Sequence, residues 1–154
     1  DNASRELERS THDNELVVRW VTREHGIPLY GADPETYIDH VPADDLKREV
    51  KQTMDEWAEE ILTGSYTADN MWAQAFIVLS YCRMLHTLAT GRIYSKPAGA
   101  IWGSENLDSK WQGLIERAWA NRPNPSEKVR TQANPEELQL TFDFIRYALE
   151  LSEQ

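Results

Sequence analysis

The sequence has little of what stabilises secreted or membrane proteins. It contains a single cysteine, Cys82, which excludes an internal disulfide. It has no run approaching the roughly eighteen apolar residues that a membrane helix needs, so no membrane partner is expected. We interpret Cys82 as a small buried hydrophobe, and its single occurrence favours a reducing cytoplasm as the location.

An excess of basic residues is also missing. The chain has 16 Lys and Arg against 26 Asp and Glu, which gives a formal net charge of −10. Nucleic-acid binding without sequence preference needs a basic surface, so the composition predicts no nucleic-acid partner. An acidic surface favours cationic ligands, although ordinary solvated helix faces account for the same charges.

Signals for β-strands are absent as well. The sequence shows no sustained alternation of apolar and polar residues, and no Asn-Gly or Asp-Gly hairpin turn. Apolar residues recur instead at intervals of three and four, as on one face of a helix. The sequence therefore predicts an all-α fold, a single bundle of about five to six helices that takes up residues 1–154. Because the chain opens without a methionine, we expect it to be a fragment of a longer protein.

The helix boundaries follow from caps and breakers. Helices are predicted over residues 13–25, 44–62, 70–90, 109–121, from about 95–97 onward and from 134 onward, with a short turn near 34–37 and a loop at 122–126. Gly26 is expected to end its helix in the left-handed conformation, and Gly91 is expected to stop the third long helix. Thr67 or Asp69 is the expected N-cap of the third long helix.

The last helix shows two apolar stripes. Asn134 and Pro135 form its start, with a capping box that is completed by Glu137. One stripe contains Leu138, Phe142, Ile145 and Leu149, and the other contains Leu140, Phe144, Tyr147 and Leu151. We expect one stripe to face the core and the other to face a partner domain or subunit, with full burial in the bundle as the alternative.

Three cations, Arg83, Arg92 and Lys96, lie around the end of the most apolar helix. Arg83 is on the narrow polar stripe of that helix, where a guanidinium requires a carboxylate or a phosphate. Lys96 lies near the start of the next helix, whose N–H groups attract anions. Together they could hold a polyphosphate. The alternative is that Arg83 pairs with an acid inside the bundle and Lys96 is solvated.

Sites for metal or covalent chemistry are not apparent. The four histidines do not have the spacing of a metal site, and no P-loop or dinucleotide motif appears. No catalytic or metal-ligating residue is therefore assigned. His86, one helical turn from Arg83, is a candidate for substrate contact, and a satisfied helix-face histidine is the alternative.

Three segments resemble one family in their order and spacing. They are Leu79–Trp102 with its Thr-Gly-Arg-Ile-x-x-Lys pattern, Arg23–Gly31, and Val41-Pro42-x-x-Asp45-Leu46. Together they resemble the C-terminal helical domain of the streptomycin and spectinomycin adenylyltransferases of the (3″)/(9) type. The resemblance covers about Leu16 to Leu151.

The resemblance implies transfer of AMP from Mg-ATP to a hydroxyl of a cationic, aminoglycoside-like drug. In that family an N-terminal nucleotidyltransferase domain carries the metal-binding Asp-x-Asp. This sequence lacks that motif, so the domain appears absent and the chain alone is expected to be inactive. The resemblance places Arg83 and Lys96 at the ATP phosphates and Asp69 at the drug. Ala73 stands where the family often has a second acid, and this departure leaves the drug specificity open.

Two other functions are compatible with the sequence. The first is a noncatalytic binding or interaction module that kept the helical scaffold. The second is a helical ribonuclease toxin, because Arg19 and His25 have the Arg–His spacing of that class. The acidic composition argues against RNA binding by such a site.

Overall fold

The computed structural model describes residues 14–154, and within them the fold is all-α, as predicted. The α-helices are α1 Leu16–His25, α2 Ala43–Thr63, α3 Met71–Thr90, α4 Lys96–Asn106, α5 Gln112–Asn121, α6 Pro125–Lys128 and α7 Pro135–Ser152. Two 3₁₀ turns, Pro34–Thr36 and Ser109–Trp111, complete the set. Six of the described helices have ten residues or more, and α6 is a single turn. None of the helices within residues 14–154 combines the length and the apolar character needed to cross a membrane.

Helix α3 is the centre of the bundle, because α2, α4, α5 and α7 all pack against it. Its buried residues lie on nearly every side, as expected for a helix surrounded by others. Tyr81 is fully buried, and its hydroxyl donates to the Met54 carbonyl of α2 at 2.9 Å. Burial of a tyrosine requires such a partner, so this hydrogen bond fixes α2 against α3.

Helix α4 packs unusually close to α3. A Cβ at Gly99 would lie 2.6 Å from Cγ of Arg83, and a Cβ at Gly103 would lie 2.9 Å from Sγ of Cys82. Only glycine allows the two helices to approach this closely. The stem of Arg83 therefore packs directly on the α4 backbone.

The ends of the helices differ in part from the prediction. Gly91 ends α3 as expected, and its φ of 71° puts it in the left-handed conformation. Gly26 follows α1 with φ of −64° and ψ of 135°, so the left-handed cap predicted there is wrong. Its N–H still bonds to the Thr22 carbonyl at 2.9 Å, which satisfies the last turn without a positive φ. Asp13, the predicted first residue of α1, lies outside the described residues.

The start of α3 is also different from the prediction. Asn70 is the N-cap, and its side chain accepts from the Ala73 N–H at 2.9 Å. The assignments to Thr67 and Asp69 are therefore wrong. The predicted loop at 122–126 is wrong in its second half, because Pro125 begins the single turn of α6.

Helix α7 begins at the predicted cap, where the Asn134 side chain accepts from the Glu136 N–H at 2.9 Å. Its fully buried residues are Thr141, Phe144, Ile145 and Ala148. Phe144 and Ile145 belong to the two different predicted stripes, so the division into a core stripe and a partner stripe is wrong. Apart from Leu140, which is 39% exposed, the remaining members of both stripes pack against this domain's own core.

Candidate functional site

The candidate site is a cavity of about 240 Å³ between α2, α3 and the start of α4. Arg83 of α3 and Lys96 at the first position of α4 both line it. Their meeting is a consequence of the left-handed turn at Gly91, which reverses the chain so that α4 starts beside α3. The structure thus brings the two predicted phosphate-binding residues into one cavity.

The side chain of Arg83 has a single hydrogen bond to the protein among the described residues. Its Nε donates to the Tyr94 carbonyl at 3.0 Å, and within residues 14–154 no carboxylate lies within 4.0 Å of its guanidinium. Burial lowers the pKa of Arg83 below its usual value. A half-buried cation without a carboxylate is costly, which is a sign of a binding role. The internal acid partner considered above is not found in the described part of the chain.

Lys96 is also held without an acid. Its Nζ lies 4.4 Å from the centroid of the Phe76 ring, an arrangement that favours a cation over an aromatic face. The pKa of Lys96 is lowered, first by burial and then by the positive charges of Arg83 and Arg122. The solvated lysine of the alternative interpretation is therefore not what the structure has, because this side chain lies over a ring and is partly buried.

The other side of the cavity is aromatic and acidic. Trp57 and Phe76 line it, and their rings stack with centroids 5.7 Å apart. Glu49 lines it as well, and its two carboxylate oxygens accept from the N–H groups of Leu16 and Val17 at 2.9 Å each. This carboxylate caps the N-terminus of α1 and complements the helix dipole there.

The cavity is therefore divided by charge. An anion fits beside Arg83 and Lys96, and an aromatic or apolar group fits against Trp57 and Phe76. The sequence reasoning missed the role of Glu49, and it assigned Trp57 and Phe76 to the core alone. Trp57 and Phe76 are only partly buried, and the sequence pattern contains no signal that would have separated them from core residues.

Asp69 and His86 do not line this cavity. Asp69 is exposed in the segment before α3, and its backbone carbonyl accepts from the Ala133 N–H at 2.6 Å. Ala73, one turn further on, is 1% exposed and points into the core. The role of Asp69 and His86 in substrate binding stays a prediction.

His86 lies in an aromatic stack on the α4 side of α3. Its ring is parallel to Tyr94 at 3.8 Å and to Trp102 at 5.0 Å. Its Nδ1 is buried, and no described residue bonds to it. Burial lowers the pKa of His86, which favours a neutral ring in the stack.

Arg92 is exposed, and it lines a second depression of about 530 Å³ together with Arg83.

The residues of the ribonuclease alternative are engaged elsewhere. Arg19 lies 3.7 Å from the Asp39 carboxylate, and the His25 ring packs edge-on against Trp20 at 5.4 Å. The two side chains thus have separate structural contacts, Arg19 with the segment after α1 and His25 within α1.

A metal ion does not fit the described residues. Within residues 14–154 no group of three or more His, Cys, Asp or Glu side chains is arranged to hold one. A hard cation such as Mg²⁺ prefers several oxygen ligands, and the cavity offers it two cations and two glutamates, Glu15 and Glu49, of which Glu49 already caps a helix. Arg83 and Lys96 have donors to spare, which suits an anion instead.

Comparison with known proteins shows which family this chain is similar to. The profile of the family described as aminoglycoside adenylyltransferase, C-terminal domain, matches residues 36–147. A spectinomycin 9-adenylyltransferase of Staphylococcus aureus is 24% identical over 149 residues, which cover 84% of this chain and 54% of that protein. An aminoglycoside (3″)(9) adenylyltransferase of Klebsiella pneumoniae is 26% identical over 144 residues, 92% of this chain and 50% of its own length. The chain spans about half the length of the curated relatives that it matches.

Proposed function

Since the chain belongs to the family of aminoglycoside adenylyltransferase C-terminal domains, we propose that it binds the phosphates of ATP in an enzyme that adenylylates a cationic drug. Arg83 and Lys96 are the phosphate-binding residues. The observation that carries the proposal is that both cations line one cavity and that neither has a carboxylate partner among residues 14–154. A chain with a net charge of −10 offers many acids, so two unpaired cations in one cavity are informative.

The chemistry requires such cations. In adenylyl transfer a drug hydroxyl oxygen forms a bond to the α-phosphorus of ATP, and the bond from that phosphorus to the pyrophosphate oxygen breaks. The hydroxyl proton leaves to a base, and negative charge grows on the departing pyrophosphate. Fixed cations beside that group stabilise the transition state more than the ground state.

The remaining parts of the reaction belong to the N-terminal nucleotidyltransferase domain that the resemblance implies. Mg²⁺, when bound there, supplies charge neutralisation for the phosphates, since the described residues hold no site for it. The chain alone is then inactive, and the activity is cytoplasmic because ATP is the donor. Asp69 and His86 remain candidates for contact with the cationic drug, Asp69 through its exposed carboxylate.

The test is adenylyl transfer by the whole enzyme that contains this domain, measured as pyrophosphate release. Arg83→Ala or Lys96→Ala is expected to lower kcat/KM about a hundredfold, the effect of removing one preorganised charge donor from a transition state. Arg130→Ala is the matched control, because Arg130 is exposed and does not line the cavity. Unchanged turnover in both cavity variants would contradict the proposal.

A noncatalytic binding module is the second candidate. The observation that favours it is the alanine at position 73, where the family that the sequence resembles often has a second acid. Under that function the native protein binds its cationic partner and releases no pyrophosphate from ATP. The same assay, run with spectinomycin and with streptomycin, separates the two candidates.

A further inference from the structure

The Arg83 side chain is held at two points along its length. A Cβ at Gly99 of α4 would lie 2.6 Å from the Cγ of Arg83, so the stem packs on the α4 backbone. Beyond the stem, Nε donates to the Tyr94 carbonyl at 3.0 Å. A guanidinium is planar and rigid, so a hydrogen bond at Nε also sets the direction of the donors on its two Nη atoms. The Tyr94 carbonyl therefore determines how Arg83 presents the donors that the described part of the chain does not use.

Tyr94 lies in the connector of residues 92–95, which joins α3 to α4 and has no regular structure. Within residues 14–154, none of the backbone N–H groups of this connector donates to another backbone group. Such a segment is held in place mainly by its side chains. Ile93 packs against the core, which anchors the first half of the connector. The direction of the next carbonyl then depends on the Tyr94 ring.

The Tyr94 ring is fixed by two further rings. His86 of α3 lies parallel to it, with centroids 3.8 Å apart and planes 3° apart, and Trp102 of α4 lies parallel to His86 at 5.0 Å. The Nδ1 of His86 is buried and has no partner among the described residues, so no hydrogen bond at this atom orients the imidazole. Stacked aromatic rings gain stabilisation beyond the apolar area that they bury. The stack therefore joins α3, α4 and the connector between them.

We propose that Tyr94 is a positioning residue for Arg83: the stack fixes the Tyr94 ring, and the ring fixes the carbonyl that orients the guanidinium. The consequence for ligand binding rests on the proposed function, in which Arg83 holds a phosphate. A guanidinium that is oriented before the ligand arrives loses less conformational entropy on binding, and this raises affinity without a new contact. Tyr94 does not line the cavity of Arg83 and Lys96, and it lines instead the second depression, which it shares with Arg83.

The direct test follows the Nε–H signal of Arg83 by NMR in this chain, labelled with ¹⁵N, without any ligand. Arg83→Gln removes the signal and thereby identifies it. In Tyr94→Phe, which keeps the ring, exchange of this proton with water is expected to be as slow as in the unmodified chain. In Tyr94→Ala it is expected to be about fivefold faster, as the loss of one hydrogen bond predicts. His86→Ala, which removes the ring beside Tyr94, is expected to act in the same way, and His86→Phe is expected to restore slow exchange.

The second measurement is titration of the same variants with pyrophosphate. Tyr94→Ala is expected to weaken binding about three- to tenfold, the cost of ordering one long side chain on binding. Tyr94→Phe and Tyr30→Ala are expected to bind as the unmodified chain does, and Tyr30, which is fully exposed, controls for the loss of a tyrosine. In the Arg83→Gln background, Tyr94→Ala is expected to cause no further loss, because Tyr94 acts through Arg83.

The two measurements separate this inference from the function on which it rests. Faster Nε–H exchange together with weaker binding in Tyr94→Ala supports both. Faster exchange, with equal pyrophosphate affinity in the unmodified chain and in Arg83→Gln, supports the positioning by Tyr94 and contradicts the assigned role of Arg83. Exchange in Tyr94→Ala equal to that in Tyr94→Phe overturns the inference, even where the urea midpoint falls, because Tyr94 is then only a structural residue. Unchanged pyrophosphate affinity in Tyr94→Ala, where Arg83→Gln loses it, overturns the inference as well.

Discussion

The unpaired guanidinium of Arg83 leads to an expectation that is opposite to the usual effect of a core substitution. Replacing Arg83 with methionine is expected to stabilise the domain and to abolish phosphate binding. Methionine keeps the Cγ that packs on Gly99, and it removes a charge that has no carboxylate partner among residues 14–154. Buried charges replaced by apolar groups of similar shape often increase stability.

The magnitude follows from two opposing contributions. Loss of the hydrogen bond from Nε to the Tyr94 carbonyl costs about 1 kcal/mol. Removal of a poorly solvated cation adds about 2 kcal/mol to the free energy of unfolding. This amount already allows for the fact that Arg83 is only half-buried. The net gain is about 1 kcal/mol, which corresponds to an increase of about 3 °C in Tm for a domain of this size.

The assay is urea unfolding followed by tryptophan fluorescence, with and without pyrophosphate. Arg117→Met is the control, because Arg117 is exposed and pairs with Glu137 at 2.7 Å. Loss of this ion pair is expected to lower the free energy of unfolding by up to about 1 kcal/mol. This change is opposite in sign to the change expected for Arg83→Met. Pyrophosphate is expected to stabilise the unmodified chain and to have little effect on Arg83→Met. If Arg83→Met unfolds at lower urea than the unmodified chain, Arg83 is a structural residue and the reasoning fails.

Three further predictions concern the surroundings of the site. Gly99→Ala is expected to destabilise the domain by about 2 kcal/mol and to displace Arg83, because the added Cβ would lie 2.6 Å from its Cγ; a urea midpoint equal to that of the unmodified chain would contradict the close packing. His86, whose pKa is lowered by burial from the usual 6.5, binds fewer protons when folded than when unfolded, so stability is expected to fall as pH drops below 6.5. His86→Phe should flatten that pH dependence in unfolding experiments at pH 5 to 7, and an unchanged slope would assign it to other groups. Cys82, with a pKa raised to about 12 by burial, is expected to resist thiol reagents at pH 8 until the chain is unfolded, and rapid labelling of the native chain would refute this.

The fold was predictable from the sequence in most of its parts. Helices α2, α3 and α5 and the start of α7 are close to the predicted bounds, because their apolar spacing and caps are local signals. The errors at Gly26 and Asn70 have one cause. Several residues near each helix end can serve as a cap, and the path of the neighbouring chain selects among them.

The candidate site was predictable only in its cations. Arg83 stood out because a charge on a narrow polar stripe of an apolar helix requires an explanation. Lys96 stood out because it lies near the start of the next helix, whose N–H groups attract anions. The aromatic side of the cavity, Trp57 and Phe76, did not stand out in the sequence. Large apolar residues at helical spacing are interpreted as core residues by default.

The sequence by itself determined that this chain is helical, where most helices begin and end, and that Arg83 is a cation on an apolar helix in need of a partner. These properties depend on residues within one or two helical turns of each other. Only the tertiary structure decided that the partner is not an acid within residues 14–154, and that Lys96 lines the same cavity as Arg83. The close packing of α4 on α3 at Gly99 and Gly103 brings the two cations together. Distances between helices depend on side-chain shape across the core, and spacing along the chain does not encode them.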